Sequence, residues 1–219
     1  VRSAQPCAVI FDMDGVIFDS EHAVFAEWQR LAEEHGFSGI EEVYRRVIGV
    51  NAVRTREIYL EAYGPDFPYD EYRAIQSARF HEKYDGGRLP EKPHIRPLLA
   101  ALQEAGIRTA IASSTRTEIV EREIAEAGLR PYFDRVVGGD QVARSKPEPD
   151  IFLRALEMLD VPAAAALVIE DSHNGVRAAH RAGIPAVMVP DMLPPTEEIR
   201  ALAETVLPDL AAVQAYLGL

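Results

Sequence analysis

The sequence predicts an α/β fold, with a parallel sheet that carries a small all-helical domain inserted after its first strand. Three observations predict it. A short apolar run, Ala8 to Phe11, stops abruptly at Asp12 and is followed by a glycine turn, the pattern of a buried parallel strand. Between Ser20 and Arg88 helical patterns follow one another with no convincing strand among them. From Ile95 onward helix and strand alternate, which argues for parallel pairing through right-handed crossovers.

In the first segment, polar residues begin at the carboxyl end of the strand: Asp12, then Asp14 after one apolar residue, then Gly15. In open α/β sheets ligands bind outside that end, although an Asp-Gly turn is also an ordinary way to leave a strand. An amphipathic helix is predicted over 21–34, with Ala23, Trp28 and Leu31 on its apolar positions, Ser20 as its N-cap and Gly36 as its stop. Helices over 41–48, 52–62 and 70–84 follow, separated by Gly49, Gly64-Pro65 and Gly86-Gly87. The expected division is 1–18 with 90–219 for the α/β core and 19–89 for the helical insertion, with Trp28 in the interior of the latter.

In the core, Gly106, Gly128 and Gly183 each stand where a left-handed residue closes a helix. Each leads to a β-rich run, over 109–112, 135–137 and 185–189, and a fourth run over 166–169 ends at Glu170-Asp171. The tail is predicted as helix, short strand at 206–207, and closing helix. The whole is expected to form a Rossmann-like core with an inserted helical cap.

The 219 residues suffice for one full core and a smaller domain. With 35 acidic against 23 basic residues the net charge is -12, which disfavours non-specific contact with nucleic acid or anionic membranes. An anionic substrate would need a local cation to enter. Cys7 is the only cysteine, so an internal disulfide is excluded and a reducing cytoplasm is expected. No apolar run approaches the roughly 18 residues of a membrane span, and no signal-peptide pattern opens the sequence.

Polar residues stand at or after the ends of four predicted strands: Asp12 and Asp14; Ser113, Ser114 and Thr115; Lys146; and Glu170 with Asp171. Each has an ordinary explanation by itself, as N-cap, loop charge or helix-start acid. Their convergence on one sheet edge makes four separate coincidences the less economical account. Three carboxylates without a His or Cys cluster suit a hard cation, Mg²⁺ before zinc. Asp12, Asp171 and a backbone carbonyl near Asp14 can hold it. Lys146 would neutralise further charge, and a serine hydroxyl with the amides over 113–117 would cradle phosphate oxygens. A carboxylate with two positive neighbours stays ionised and can attack phosphorus.

Asp12-Met13-Asp14-Gly15, Ser113, Lys146-Pro147 and Glu170-Asp171 resemble the four motifs of the haloacid dehalogenase superfamily. The helical block and the Asp-Ser-Glu at 19–21 resemble the subfamily of phosphoglycolate phosphatases, sugar-phosphate phosphatases and β-phosphoglucomutase. The resemblance implies a Mg²⁺-dependent phosphatase of a small phosphorylated metabolite. In that scheme Asp12 is the nucleophile that becomes an aspartyl-phosphate, and Asp14 is the general acid/base. Ser113 and Lys146 bind the transferring phosphoryl group; Asp12, the Asp14 carbonyl and Asp171 bind Mg²⁺; Glu170 stands behind them. The second aspartate argues against a dehalogenase. A monomer is expected, without nucleic-acid or membrane partners.

Other residues are weaker candidates. Ser114 and Arg116 lie where a phosphate or substrate would be met, and Gly49, Asn51 and Arg54 where related proteins place a substrate-contacting cap loop. His22 and His173 are assigned to caps or hinges. The alternatives are a hexose-phosphate mutase and, further off, a phospho-accepting signalling module, which would place its aspartate on a middle strand that here ends in Ser113. Mutases of the subfamily resemble one another in a histidine four residues after the position of Ser20 and an arginine three residues after that of Gly49. This sequence has Val24 and Ala52 there.

Overall fold

The computed structural model describes residues 5–50 and 52–219. The chain opens with β1 (Ala8–Phe11), followed by four helices: α1 (Ser20–His35), α2 (Ile40–Val47), α3 (Ala52–Tyr63) and α4 (Tyr69–Tyr84). Then come α5 (Ile95–Glu104), β2 (Arg108–Ser113), α6 (Thr117–Glu126), β3 (Arg135–Gly138), α7 (Asp150–Leu159) and β4 (Ala166–Glu170). The chain ends with α8 (His173–Arg181), β5 (Ala186–Met188), α9 (Glu197–Leu202), β6 (Thr205–Val206) and α10 (Leu210–Leu217).

Six strands form one parallel sheet in the order β3-β2-β1-β4-β5-β6. Both faces are covered, so the strands are apolar on both sides and alternate only in which layer they face. Val9 and Phe11 of β1 join the cluster under α5, α6 and α10, whereas Ala8 and Ile10 join the one under α7 and α8. The predicted strand at 206–207 lies one residue earlier, at Thr205–Val206. Because β1 sits between β2 and β4, the crossovers leave it in opposite directions, and a crevice opens at its carboxyl end.

The four helices α1 to α4 pack around an apolar cluster of their own, in which Trp28 lies 4.6 Å from the Tyr59 ring and stacks on Tyr69. This cap joins the core through two chain segments. Asp19 N–H donates to the Pro90 carbonyl, and Lys92 N–H donates to that of Ile17. The Lys92 ammonium ties the hinge to the core by donating to Asp191 at 2.7 Å and Asp19 at 3.4 Å. His22 lies 2.8 Å from Asp19 in the same hinge, and His173 opens α8 with Nε2 on the Pro194 carbonyl.

Ser20 corrects the expectation of an N-cap. It is the first residue of α1, and its buried hydroxyl donates to Asp14 Oδ1 at 2.5 Å instead of closing the helix. The stronger acceptor is the carboxylate on the facing turn, and the bond fastens the start of the cap to the end of the site loop.

Candidate active site

β1 delivers Asp12 to the sheet edge, and the turn that follows bends the chain back so that Gly15 N–H donates to the Phe18 carbonyl. Gly15 has φ +80°, and a Cβ there would lie 2.3 Å from Asp171 Oδ2. Only glycine lets the Asp14 loop approach the end of β4 this closely. Asp14 accepts from Ser20 on one oxygen and from the Thr115 hydroxyl, 3.1 Å away, on the other.

Lys146 reaches across from the loop before α7. Its buried ammonium donates to Asp12 Oδ1 at 2.5 Å, Glu170 Oε1 at 2.6 Å and the Ala112 carbonyl at 3.0 Å. Burial works against its charge, but the Asp12 and Glu170 carboxylates outweigh that and hold its pKa above the ordinary lysine range. Glu170 is fully engaged. Its second oxygen accepts from the amides of Asp171 and Ser172 and from the Ser172 hydroxyl. A Cβ at Gly175 would stand 1.7 Å from the same carboxyl group, so a glycine in the first turn of α8 makes room for it.

Asp171 differs from its neighbour. It is 4% exposed, and its carboxylate accepts no hydrogen bond from any described residue. Burial, followed by the charges of Glu170 and Asp12, raises its pKa; burial does the same to Asp12 against the pull of Lys146. Asp12, Glu170 and Asp171 bring oxygens within 4.8 Å of one another. Three clustered carboxylates against one ammonium leave two negative charges uncompensated, the charge that a divalent cation neutralises. With Glu170 already satisfied, Asp12 and Asp171 are the carboxylates with capacity left to bind it. The donor set is all oxygen, and it fits such an ion.

Ser113 is fully buried at the end of β2, where its hydroxyl accepts from the Thr115 amide at 3.1 Å. It shapes the turn that presents Ser114 and Thr115 to a cavity of about 370 Å³ above Asp12. Gly49, Ala52, Thr55, Tyr69 and Arg73 cover this cavity from the cap, with Glu21 at its side. Asn174 donates to the Gly49 carbonyl at 2.8 Å and holds that loop against the core. A second cavity of about 210 Å³ shares Asp14, Glu21, Thr55, Tyr69 and Arg73 with the first and extends into the cap toward Tyr59 and Gln76.

Two expected substrate contacts are absent from these walls. Arg54 is exposed on α3 and pairs with Glu57 and Glu61, because intrahelical carboxylates satisfy it on the solvent side. Arg116 is the exposed N-cap residue of α6 and does not line the cavity. Asn51 lies outside the described residues. Conversely, Thr115, Glu21, Tyr69 and Arg73 line the cavities without having been singled out as site residues. Thr115 continues the Ser-Ser run and Glu21 follows Ser20, so both carried a local signal; Arg73, in the second turn of α4, carried none.

The profile of the haloacid dehalogenase-like hydrolases matches residues 9–189, a span that includes every one of these core positions. The chain belongs to this family. A phosphorylated carbohydrates phosphatase from Thermotoga maritima is 38% identical over 181 residues, 81% of this chain and 82% of that one. The β-phosphoglucomutase of Bacillus subtilis is 32% identical over 83% of this chain and 82% of its own length. Among solved structures, CbbY from Rhodobacter sphaeroides in complex with phosphate superposes with a TM-score of 0.77 at 30% identity, covering 98% of this chain and 100% of that one. Among the described residues of this family member, no helix is long and apolar enough to cross a membrane.

The electrostatics carry a testable consequence. Burial, then the Asp14 charge, pushes Glu21 up to about 7, and Glu123, in the crevice between α4 and α6, also rises to about 7 through burial and then Asp14. An acid whose folded pKa exceeds its unfolded one stabilises the fold below the unfolded value, and that contribution is lost as pH rises through the folded value. For both groups the window runs from 4.5 to about 7. The metal-free protein should therefore melt at a higher temperature near about pH 5.5 than near about pH 8. Thermal unfolding in chelator checks this, and Glu123→Gln should flatten part of the slope. A melting temperature that rises over that interval would contradict the assignment.

Proposed function

We propose that the protein is a Mg²⁺-dependent phosphatase of a small phosphorylated carbohydrate, working through an aspartyl-phosphate on Asp12 beneath a cap formed by residues 19–89. The observation that carries this reading is Asp12 itself, fixed by Lys146 at 2.5 Å and set beside an Asp171 carboxylate that accepts no hydrogen bond from any described residue. Asp12, Asp171 and the Asp14 carbonyl would hold Mg²⁺, which when bound neutralises negative charge at the site.

In the first step an Asp12 oxygen attacks phosphorus, the bond from phosphorus to the substrate oxygen breaks, and Asp14 gives its proton to the leaving alcohol. Ser114 and Thr115, on the turn that Ser113 shapes, meet the phosphoryl oxygens, and the Lys146 ammonium beside Asp12 offsets their charge. In the second step Asp14 takes a proton from water as the water oxygen attacks phosphorus. The bond from phosphorus to Asp12 breaks, releasing inorganic phosphate and restoring both carboxyl groups. The Ser20 and Thr115 hydroxyls hold Asp14 at the mouth of the cavity for both transfers. The name of the Thermotoga maritima relative supports a carbohydrate phosphate as substrate.

Phosphate release from a panel of sugar, polyol and glycolate phosphates tests the reading. Activity should require Mg²⁺ and disappear in EDTA. The Bacillus subtilis mutase keeps a second reaction in view. Val24 and Ala52 line the cavities at the positions of the mutase histidine and arginine. An apolar Val24 cannot couple cap closure to proton transfer. Incubation with β-glucose 1-phosphate, a bisphosphate primer and Mg²⁺ should therefore yield inorganic phosphate without efficient formation of glucose 6-phosphate. Rapid 6-phosphate formation with little phosphate release would assign the protein to the mutases.

A further inference from the structure

The second cavity holds polar groups that no described residue satisfies. Among the described residues the buried Tyr59 hydroxyl has no hydrogen-bond partner, and Gln76, 7% exposed, makes no hydrogen bond. Arg73 lies three residues before Gln76 on α4, so both project from one side of that helix into the same space. Arg73 also stands apart from the other cap arginines. Arg30, Arg45, Arg46, Arg54, Arg56 and Arg79 each pair with a carboxylate, and Arg88 donates to the carbonyls of Glu82 and Asp85. Arg73 has no acidic partner among the described residues, in a chain with 35 acidic and 23 basic residues. It lines both cavities, whereas Lys146, the other cation on these walls, is committed to Asp12 and Glu170.

We propose that Arg73 is a specificity-determining residue that binds a second anionic group, a carboxylate or a phosphate, at the end of the substrate remote from the phosphoryl group given to Asp12. This rests on the phosphatase reading. A guanidinium presents paired donors that match either oxyanion. Gln76 and Tyr59 then meet hydroxyls of the intervening chain, and Glu21, shared by both cavities, accepts from them. The substrate is accordingly a sugar bisphosphate or a phosphorylated sugar acid rather than a sugar with one phosphate and a neutral far end.

The test compares kcat/KM for three matched substrates: a sugar monophosphate, the corresponding bisphosphate and the corresponding phosphorylated sugar acid. The protein should prefer at least one anion-ended substrate by about tenfold or more, and Arg73→Ala should reduce that ratio by about 10–100-fold, the range of hydrogen bonds to charged groups. Arg73→Lys should keep part of the preference. Arg56→Ala, which removes an equal charge from the outer surface of the cap, should keep the whole ratio. The bisphosphate and sugar-acid arms decide which oxyanion Arg73 takes. Calorimetric affinities measured on Asp12→Asn, with and without Arg73→Ala, separate this inference from the catalytic one. A retained preference for anion-ended ligands without turnover by the parent protein would discard the phosphatase reading and leave Arg73 in its role. Equal affinities for all three ligands, or an equal loss on all three in Arg73→Ala, would overturn the assignment of Arg73.

Discussion

Asp12→Asn should release no detectable phosphate from any substrate, and the variant should fold at least as stably as the parent protein. An amide oxygen cannot displace an alcohol from phosphorus at a useful rate, so the covalent route closes. The fold should not suffer, because the substitution keeps the shape of the side chain and leaves an oxygen to accept from Lys146. It also removes one of three buried carboxylates that share a single ammonium. Burial raises the pKa of Asp12, so its ionised form is destabilised in the metal-free fold above the ordinary carboxylate range. A neutral residue relieves that cost, and thermal unfolding at neutral pH in chelator should show an unchanged or higher midpoint. Wild-type-like turnover in this variant would end the covalent mechanism. A steep fall in midpoint would show that the Asp12 charge supports the fold.

The legible and illegible parts of this site divide along a physical line. Asp12, Ser113, Glu170 and Asp171 are placed by strand ends, and strand ends were visible as apolar runs that stop at polar residues. Parallel pairing then brings those ends to one edge without further information from side chains. Lys146 needed more, since it lies four residues before α7 and reaches the edge only through a long side chain, but the chemistry of the other groups called for a cation. The cap was legible as helices and opaque as a surface. Its helices pack on one another as well as over the core, so more than one face of each is spoken for, and apolar spacing does not say which polar face looks down. Arg54 and Arg73 show the consequence: both are exposed arginines on cap helices, yet one is consumed by Glu57 and Glu61 and the other lines the cavities. Ser20 was misread for a related reason. A hydroxyl at a helix start has a local partner in its own helix and a tertiary one in Asp14, and only the fold decides between them.

Asp14→Asn should slow turnover of alkyl phosphates by about 10²–10⁴-fold, the usual contribution of a positioned general acid or base. The amide oxygen can still accept from one of the Ser20 and Thr115 hydroxyls while the amide N–H donates to the oxygen of the other, so the loop that carries it should keep its place. What it cannot do is give a proton to the leaving alcohol or take one from water. These two losses separate with the choice of leaving group. An aryl phosphate departs as a stabilised phenolate and needs little acid, so the first step should proceed in the variant while the second stays slow. A burst of phenolate should therefore precede a slow steady state, and phosphorylated Asp12 should accumulate to a level that intact-mass measurement detects. An alkyl phosphate should give neither burst nor adduct. Equal slowing of aryl and alkyl substrates, with no adduct from either, would remove Asp14 from the proton transfers and leave it the task of fastening Ser20 and the cap.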